Sequence, residues 1–210
     1  MSKKNPLIQL AGVPVSGSEI KVCFPGLASP EKKIQALEQS GELIRLKRNL
    51  FIVSQELAGK ETDASLCANH LYGPSYVSLQ WALRYYGLIP EQVFTLTSVT
   101  TKRSRTFHTP IGTFSYRQVP SAYFPIGLES MEEGGIHFLM ASPEKALCDT
   151  ILQDKFVPHQ SVKALAVYLE EDLRLDMDVL PRLDAGTVRE CREAGRKVQI
   201  FDHLIKIIQS

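Results

Sequence analysis

The spacing of apolar and polar residues predicts short helices near the N-terminus, followed by a hairpin. Gly12, Pro14 and Gly17 interrupt the first apolar residues, so at most one or two short helices fit there. Ser29-Pro30-Glu31 predicts a helix start, because Ser caps free amides, Pro suits the first helical position and Glu complements the positive end of the helix dipole. Gly41 predicts the end of this helix.

Two apolar-rich segments after this helix predict a β-hairpin. Residues 42–46 and 50–53 are separated by Lys47-Arg48-Asn49, and Asn tolerates the positive φ that a tight turn needs. The polar stretch at 55–63 contains a glycine and is the best candidate for a boundary. We therefore expect a first domain at residues 1–56 and a second at 57–210.

The second part of the chain alternates between helical and strand patterns. Residues 64–71 predict a short helix, and 75–86 predict a firmer one because apolar residues recur there at helical spacing. Strands are predicted at 93–99, 104–108, 112–119 and 136–140, and further helices at 142–151, 161–172, 185–194 and 197–208.

The charge of the chain is unevenly distributed, although its net value is only +1. Residues 1–55 contain eight Lys and Arg against four acidic residues, whereas residues 129–210 contain ten against fifteen. Such asymmetry indicates a basic module that meets nucleic acid, followed by an acidic module with another task.

The order helix, glycine, strand, basic hairpin, strand is typical of a winged helix-turn-helix. If Ile34 and Leu37 face the core, helical spacing turns Lys32, Gln35 and Gln39 outwards. Gln can bond an adenine edge, and Lys can reach guanine or a phosphate. The predicted DNA-binding residues are Lys32, Lys33, Gln35, Gln39, Arg45, Lys47 and Arg48, of which the last three hold phosphates. The alternative is a solvated helix followed by an ordinary hairpin.

The predicted fold class is α+β, with an N-terminal winged helix-turn-helix and then an α+β domain with a small mixed sheet and a helical C-terminus. In this second domain, the segment at 100–105 carries three cations and several hydroxyls between two strands, which suits a phosphate or a nucleic-acid backbone. Lys102, Arg103 and Arg105, together with Arg84 on the helix at 75–86, are therefore candidate phosphate, nucleic-acid or partner contacts. A solvated loop is the alternative for 100–105.

The residues that usually carry enzyme chemistry form no recognisable signature. The five His residues are isolated, the four Cys residues contain no C-x-x-C pair, and no G-x-S-x-G motif occurs. We expect no catalytic residues, no metal and no cofactor. No apolar run is long enough to span a bilayer and the N-terminus does not suit a signal peptide, which predicts a cytoplasmic protein without membrane contact.

Three motifs resemble the AbiEi family of antitoxins from type IV toxin–antitoxin and phage abortive-infection systems. They lie at residues 73–90, 97–105 and 142–149, and the resemblance covers about residues 25–155. Where the family usually shows Arg-Gly-Leu-Tyr in the wing, this chain has Arg48-Asn49-Leu50-Phe51, and Asn preserves the turn.

The resemblance implies a transcriptional regulator that represses its own operon. Its N-terminal winged helix would bind inverted repeats in the operator DNA, with self-association of the protein on that DNA. Its second domain would counter an AbiEii-like nucleotidyltransferase toxin encoded beside it, either by direct contact or through the toxin's target or product.

Two other functions stay open at this stage. One is an orphan winged-helix transcription factor without a toxin. The other is a metal-dependent nucleic-acid-processing enzyme that uses carboxylates such as Glu144 and Asp149, although residues five apart on a helix do not share a face.

Overall fold

The structure, a computed structural model, describes residues 5–210. Its N-terminal elements are a 3₁₀ helix at Pro6–Leu10, α1 (Gly17–Val22), α2 (Pro30–Gln39), the hairpin strands β1 (Leu43–Lys47) and β2 (Leu50–Val53), and the short helix α3 (Gln55–Ala58). The predicted hairpin and the two short early helices are thus present.

Helix α2 begins and ends where the sequence predicts. Pro30 occupies its first turn, but the Ser29 side chain makes no capping hydrogen bond, so the expected cap is wrong in this detail. Ile34 and Leu37 are buried as expected. At the turn between the hairpin strands, Asn49 adopts a φ of 60°, which confirms the left-handed residue that the turn chemistry requires.

A single residue before α1 bridges to the hairpin. Val15 forms an antiparallel bridge with Phe51, and each residue donates its amide to the other's carbonyl at 2.8 Å. This bridge ties the segment before α1 to the outer side of β2. A small core lies beneath it, formed by Leu7, Val15, Ile20, Ile34, Leu37, Leu43, Phe51 and Val53.

The second part of the chain forms a six-stranded sheet with flanking helices. Its elements are α4 (Ala64–Leu71), β3 (Ser75–Val77), α5 (Leu79–Tyr85), β4 (Thr95–Thr100), β5 (Arg105–Thr109), β6 (Gly112–Gln118), β7 (Leu128–Glu133), β8 (Ile136–Ala141), α6 (Pro143–Gln153), α7 (Val162–Val167), a π-helical turn at Tyr168–Asp172, a 3₁₀ helix at Met177–Arg182, α8 (Ala185–Ala194) and α9 (Val198–Ile208). The C-terminal helices agree closely with the predicted ranges.

The strand order in this sheet is β5-β6-β4-β3-β8-β7. The β3–β8 and β4–β6 pairs are parallel, and the other neighbours are antiparallel. The protein is therefore α+β with a mixed sheet and C-terminal helices, as the sequence predicts. No helix within residues 5–210 is long and apolar enough to cross a membrane.

Two strands differ from the sequence prediction. The predicted helix at 75–86 is divided into β3 and α5, because Tyr76 and Val77 are fully buried in a strand that pairs with a neighbour on each side. Pairing on both edges outweighs the local helical spacing. Strand β7 is missing from the prediction because it lies at an edge, and its glutamates do not show the apolar alternation of a half-buried strand.

The hairpin lies between the two hydrophobic cores and contributes to both. Phe51 and Val53 pack in the small N-terminal core, whereas Leu46, Leu50 and Ile52 belong to the large core around the sheet. This arrangement brings the hairpin turn against the second part of the chain.

Candidate nucleic-acid interface

The outer face of α2 presents polar side chains beside an open groove. Lys32, Gln35 and Gln39 are exposed, on the side of the helix opposite Ile34 and Leu37. A groove of about 620 Å³ runs between α1, α2 and the hairpin, and Gln35 and Gln39 line it. This face offers hydrogen-bonding groups, and the groove beside it is also lined by Ile34, Phe51, Glu31 and Glu38.

Two of the predicted DNA-binding cations near α2 already have partners. Arg45 donates to both carboxylate oxygens of Glu38, at 2.6 Å and 2.5 Å, and its guanidinium lies 5.0 Å from the centre of the Phe51 ring. This bidentate contact lowers the pKa of Glu38. Lys33 is half-buried, with its ammonium 5.2 Å from the Phe24 ring centre. Arg45, although its side chain is 49% exposed, and Lys33 therefore already contact neighbouring side chains.

The hairpin turn contacts the second part of the chain through Lys47. The Lys47 ammonium donates to the Leu71 carbonyl at 2.5 Å, and the side chain is half-buried. Burial lowers the pKa of Lys47, and the positive charges of Lys102 and Arg105 lower it further. Arg48, by contrast, is exposed and forms no ion pair with any residue of the described chain.

The cations of the β4–β5 loop lie at the same place. The Lys102 ammonium donates to the Gly73 carbonyl, two residues from the acceptor of Lys47, and lies 5.4 Å from the Tyr72 ring centre. Arg105 stacks 4.7 Å from the Phe107 ring centre. We call the group Lys47, Arg48, Lys102, Arg103 and Arg105 the basic surface.

Aromatic rings support this basic surface from below. Tyr72 contacts Phe107 and Tyr116 with ring centres 5.4 Å and 5.3 Å apart, and Phe107 contacts Tyr116 at 5.7 Å. The ring faces attract the adjacent cations and fix their position. Two predicted sites, the hairpin turn and the 100–105 loop, are therefore one surface in the fold. Sequence reasoning treated them separately because no local pattern records a contact between residues so distant in the chain.

The hydroxyls of the loop play a different part from the predicted one. Thr100 donates its hydroxyl to the Pro74 carbonyl at 2.7 Å, and the Ser104 hydroxyl accepts the Gln118 amide at 3.0 Å. Both side chains hold the loop to its neighbours. Since Lys102 already donates to the Gly73 carbonyl, Arg103 and Arg105 are the loop cations left to meet a phosphate.

Arg84 lies apart from the basic surface. It is exposed on α5 and lines a separate pocket of about 320 Å³ with Trp81, Tyr85, Gln92 and Val93. The structure therefore brings Lys102, Arg103 and Arg105 together with the hairpin, but does not bring Arg84 to them.

The third motif, at residues 142–149, forms a buried charged cluster. Lys145 and Asp149 are both fully buried on α6, with 3.4 Å between their charged atoms. Lys145 also donates to the Tyr123 carbonyl at 2.8 Å, and Asp149 accepts the Ser78 hydroxyl at 2.6 Å. Burial raises the pKa of Asp149, because desolvation outweighs the attraction of Lys145 and the hydrogen bond from Ser78.

The acidic residues considered for metal-dependent chemistry do not share a site. Glu144 is half-buried and its carboxylate accepts the Asp184 backbone amide at 3.0 Å, whereas Asp149 is fully buried in the core. Within residues 5–210, no group of three or more His, Cys, Asp or Glu side chains is placed to hold a metal ion.

No protein-family model matches the chain, and a search of the curated proteins found no match.

Proposed function

We propose that this protein is a DNA-binding transcriptional regulator that reads DNA through a winged helix-turn-helix at its N-terminus. The observation that carries the proposal is the exposed polar face of α2, where Gln35 and Gln39 line a groove that reaches the hairpin at Asn49. The order of helices followed by a hairpin supports it as well, and Val15 before α1 bridges to Phe51 of the hairpin.

In the proposed complex, α2 lies in the major groove. Lys32, Gln35 and Gln39 would contact base edges, because they are exposed and free of the core. Arg48 at the wing would contact the backbone or the minor groove, and Arg103 would extend the phosphate contacts onto the second domain. The wing then acts together with the 100–105 loop.

The regulator is further proposed to be the antitoxin of a type IV toxin–antitoxin system. The motifs at 73–90, 97–105 and 142–149 support this proposal by their resemblance to the AbiEi family. The protein would repress its own operon in the cytoplasm by occupying inverted repeats, two copies meeting on the DNA. Its second domain would counter an AbiEii-like nucleotidyltransferase toxin.

A gel-shift titration in a salt series tests DNA binding. The probe is the duplex upstream of the protein's own gene, and a shuffled duplex of equal composition serves as competitor. We expect a specific shift that weakens steeply as salt rises, because each phosphate contact releases counterions. Absence of any shift at low salt would refute the proposal.

Variants of the basic surface separate phosphate contacts from base contacts. Arg48→Ala combined with Arg103→Ala should weaken binding to both duplexes and reduce the salt slope by about two units, at about 0.9 per lost phosphate contact. Gln35→Ala should mainly reduce the preference for the specific duplex. Arg189→Ala and Lys163→Ala, which remove exposed cations elsewhere, are the matched controls and should bind like the wild type.

Co-expression with the neighbouring gene tests the antitoxin proposal separately. If that gene encodes a toxin, growth arrest by the toxin should be relieved by this protein. Rescue that persists in a variant unable to bind DNA would assign the antitoxin activity to the second domain. Normal DNA binding without rescue would indicate an orphan transcription factor instead.

A further inference from the structure

A polar cavity in the second domain lies outside the proposed DNA interface. It measures about 540 Å³ and lies between the start of α5, strands β4 and β6, and the end of α6. Its lining includes Gln80, Thr95, Ser115, Arg117, Lys155 and Phe156. The size is within the range of about 300–1,000 Å³ that small-molecule sites occupy.

The cavity carries an excess of positive charge. Arg117 and Lys155 are both exposed, and neither forms an ion pair within residues 5–210. Both oxygens of the neighbouring Asp154 carboxylate already accept hydrogen bonds. One accepts the Phe156 amide at 2.8 Å, and the other accepts the Tyr168 hydroxyl at 2.5 Å. Two cations are thus left to meet an anionic ligand.

An exposed aromatic ring lies at the edge of this cavity. Phe156 is 90% exposed, more than any other large hydrophobic residue of the described chain. It is carried on a turn that the two contacts of Asp154 hold in place. Lys197 holds the same turn by donating to the carbonyls of Ile151 and Asp154. An aromatic ring exposed in this way has an open face against which a flat ligand can stack.

The remaining lining can supply hydrogen bonds. The Gln80 amide and the hydroxyls of Thr95 and Ser115 line the cavity. The hydroxyl of Thr97, which also lines it, already forms two hydrogen bonds: it donates to the Ser78 carbonyl at 2.6 Å and accepts the Trp81 backbone amide at 3.2 Å. Amide and hydroxyl groups of this kind read the edge of a base or a ribose.

We propose that this cavity binds a nucleotide, with the base stacked on Phe156 and the phosphates held by Arg117 and Lys155. The nucleotide would be either free or the end of a single strand, since both present the same base and phosphate. The site shares no lining residue with the basic surface and does not depend on operator binding.

Calorimetric titration of the full-length protein tests the site. The probes are ATP, GTP, CTP and UTP, the nucleosides adenosine and uridine, inorganic pyrophosphate, and single-stranded RNA and DNA hexamers. We expect at least one nucleotide or hexamer to bind with a saturating isotherm, and nucleosides and pyrophosphate to bind at least tenfold more weakly because each retains only half of the contacts.

Phe156→Ala should weaken binding of that ligand about tenfold, the size of the stacking contribution of one base. Arg117→Gln with Lys155→Gln should weaken it by a similar or larger factor. Phe94→Ala, which removes another strongly exposed ring, and Arg189→Gln are matched controls that should bind like the wild type. Unchanged melting temperatures would show that the variants are folded, as the exposure of these side chains leads us to expect.

Dependence on Phe156 together with binding of a triphosphate would support a free nucleotide, and the same dependence seen only with a hexamer would support a strand end. Equal binding of pyrophosphate and nucleotide, unaffected by Phe156→Ala, would overturn the base site. Failure of every nucleotide and hexamer to bind at millimolar concentration would overturn the whole proposal, while leaving the DNA-binding proposal untouched.

Discussion

Removing the carboxylate of Asp149 should destabilise the protein strongly. Asp149 and Lys145 have no exposed side-chain surface, and their charged atoms lie 3.4 Å apart. Asp149→Ala leaves the Lys145 ammonium in the core with the Tyr123 carbonyl as its remaining hydrogen-bond acceptor, and it also leaves the Ser78 hydroxyl without its acceptor. Loss of one partner of a buried ion pair costs about 3–5 kcal/mol.

This cost is large enough to measure by two methods. In a chain of this length, about 1 kcal/mol shifts the melting temperature by about 2–4 °C, so we expect a fall of roughly 10 °C. Urea denaturation followed by circular dichroism should show a lower midpoint with an unchanged slope. The slope is a useful check, because a change in it would indicate altered compactness rather than loss of the contact.

A surface ion pair provides the matched control. Arg192 and Asp202 lie 2.5 Å apart, but their side chains are 37% and 42% exposed. Asp202→Ala should therefore cost less than about 1 kcal/mol. The double variant Lys145→Met with Asp149→Leu should be more stable than Asp149→Ala alone, because it buries no unpaired charge.

A loss below about 1 kcal/mol in Asp149→Ala would refute the reasoning, since it would mean that Lys145 needs no partner in the core. A double variant as unstable as Asp149→Ala would refute it as well. In that case packing, rather than charge, would explain why the cluster is sensitive.

The remaining predictions concern pH and two backbone positions. The pKa of Asp149 is raised in the fold, so its contribution to stability is present at pH values below its usual pKa of 3.8 and is lost as the pH rises through its pKa in the fold. The difference in unfolding free energy between wild type and Asp149→Asn should therefore shrink with rising pH. A difference that grows with pH would contradict this. Asn49→Ala should lower the free energy of unfolding by about 1–2 kcal/mol, because Ala is strained at a positive φ and the side-chain carbonyl that accepts the Gly17 amide at 3.0 Å is lost. Asn49→Gly avoids the strain and should lower it by less in the same urea titration. Gly127→Ala should lower the melting temperature, because φ is +57° and the added carbon would lie 2.9 Å from the Cβ of Lys145; an unchanged melting temperature would show that the loop can move aside.

Local chemistry determined many elements of this protein from the sequence alone. The start and end of α2, the burial of Ile34 and Leu37, and the left-handed turn at Asn49 all follow from the residues in one short segment. The C-terminal helices follow in the same way from apolar residues at helical spacing. Capping, turn sterics and periodicity operate over a few residues, so they can be read without knowledge of the fold.

Tertiary structure alone decided which segments became neighbours. Strand β3 forms where a helix was predicted, because pairing with β4 and β8 satisfies its buried backbone on both sides. The hairpin turn and the 100–105 loop form one basic surface because Lys47 and Lys102 donate to carbonyls two residues apart. Asp149 meets Ser78 across 71 residues of chain. Contacts of this range arise from packing of the whole chain, and no local pattern in the sequence encodes them.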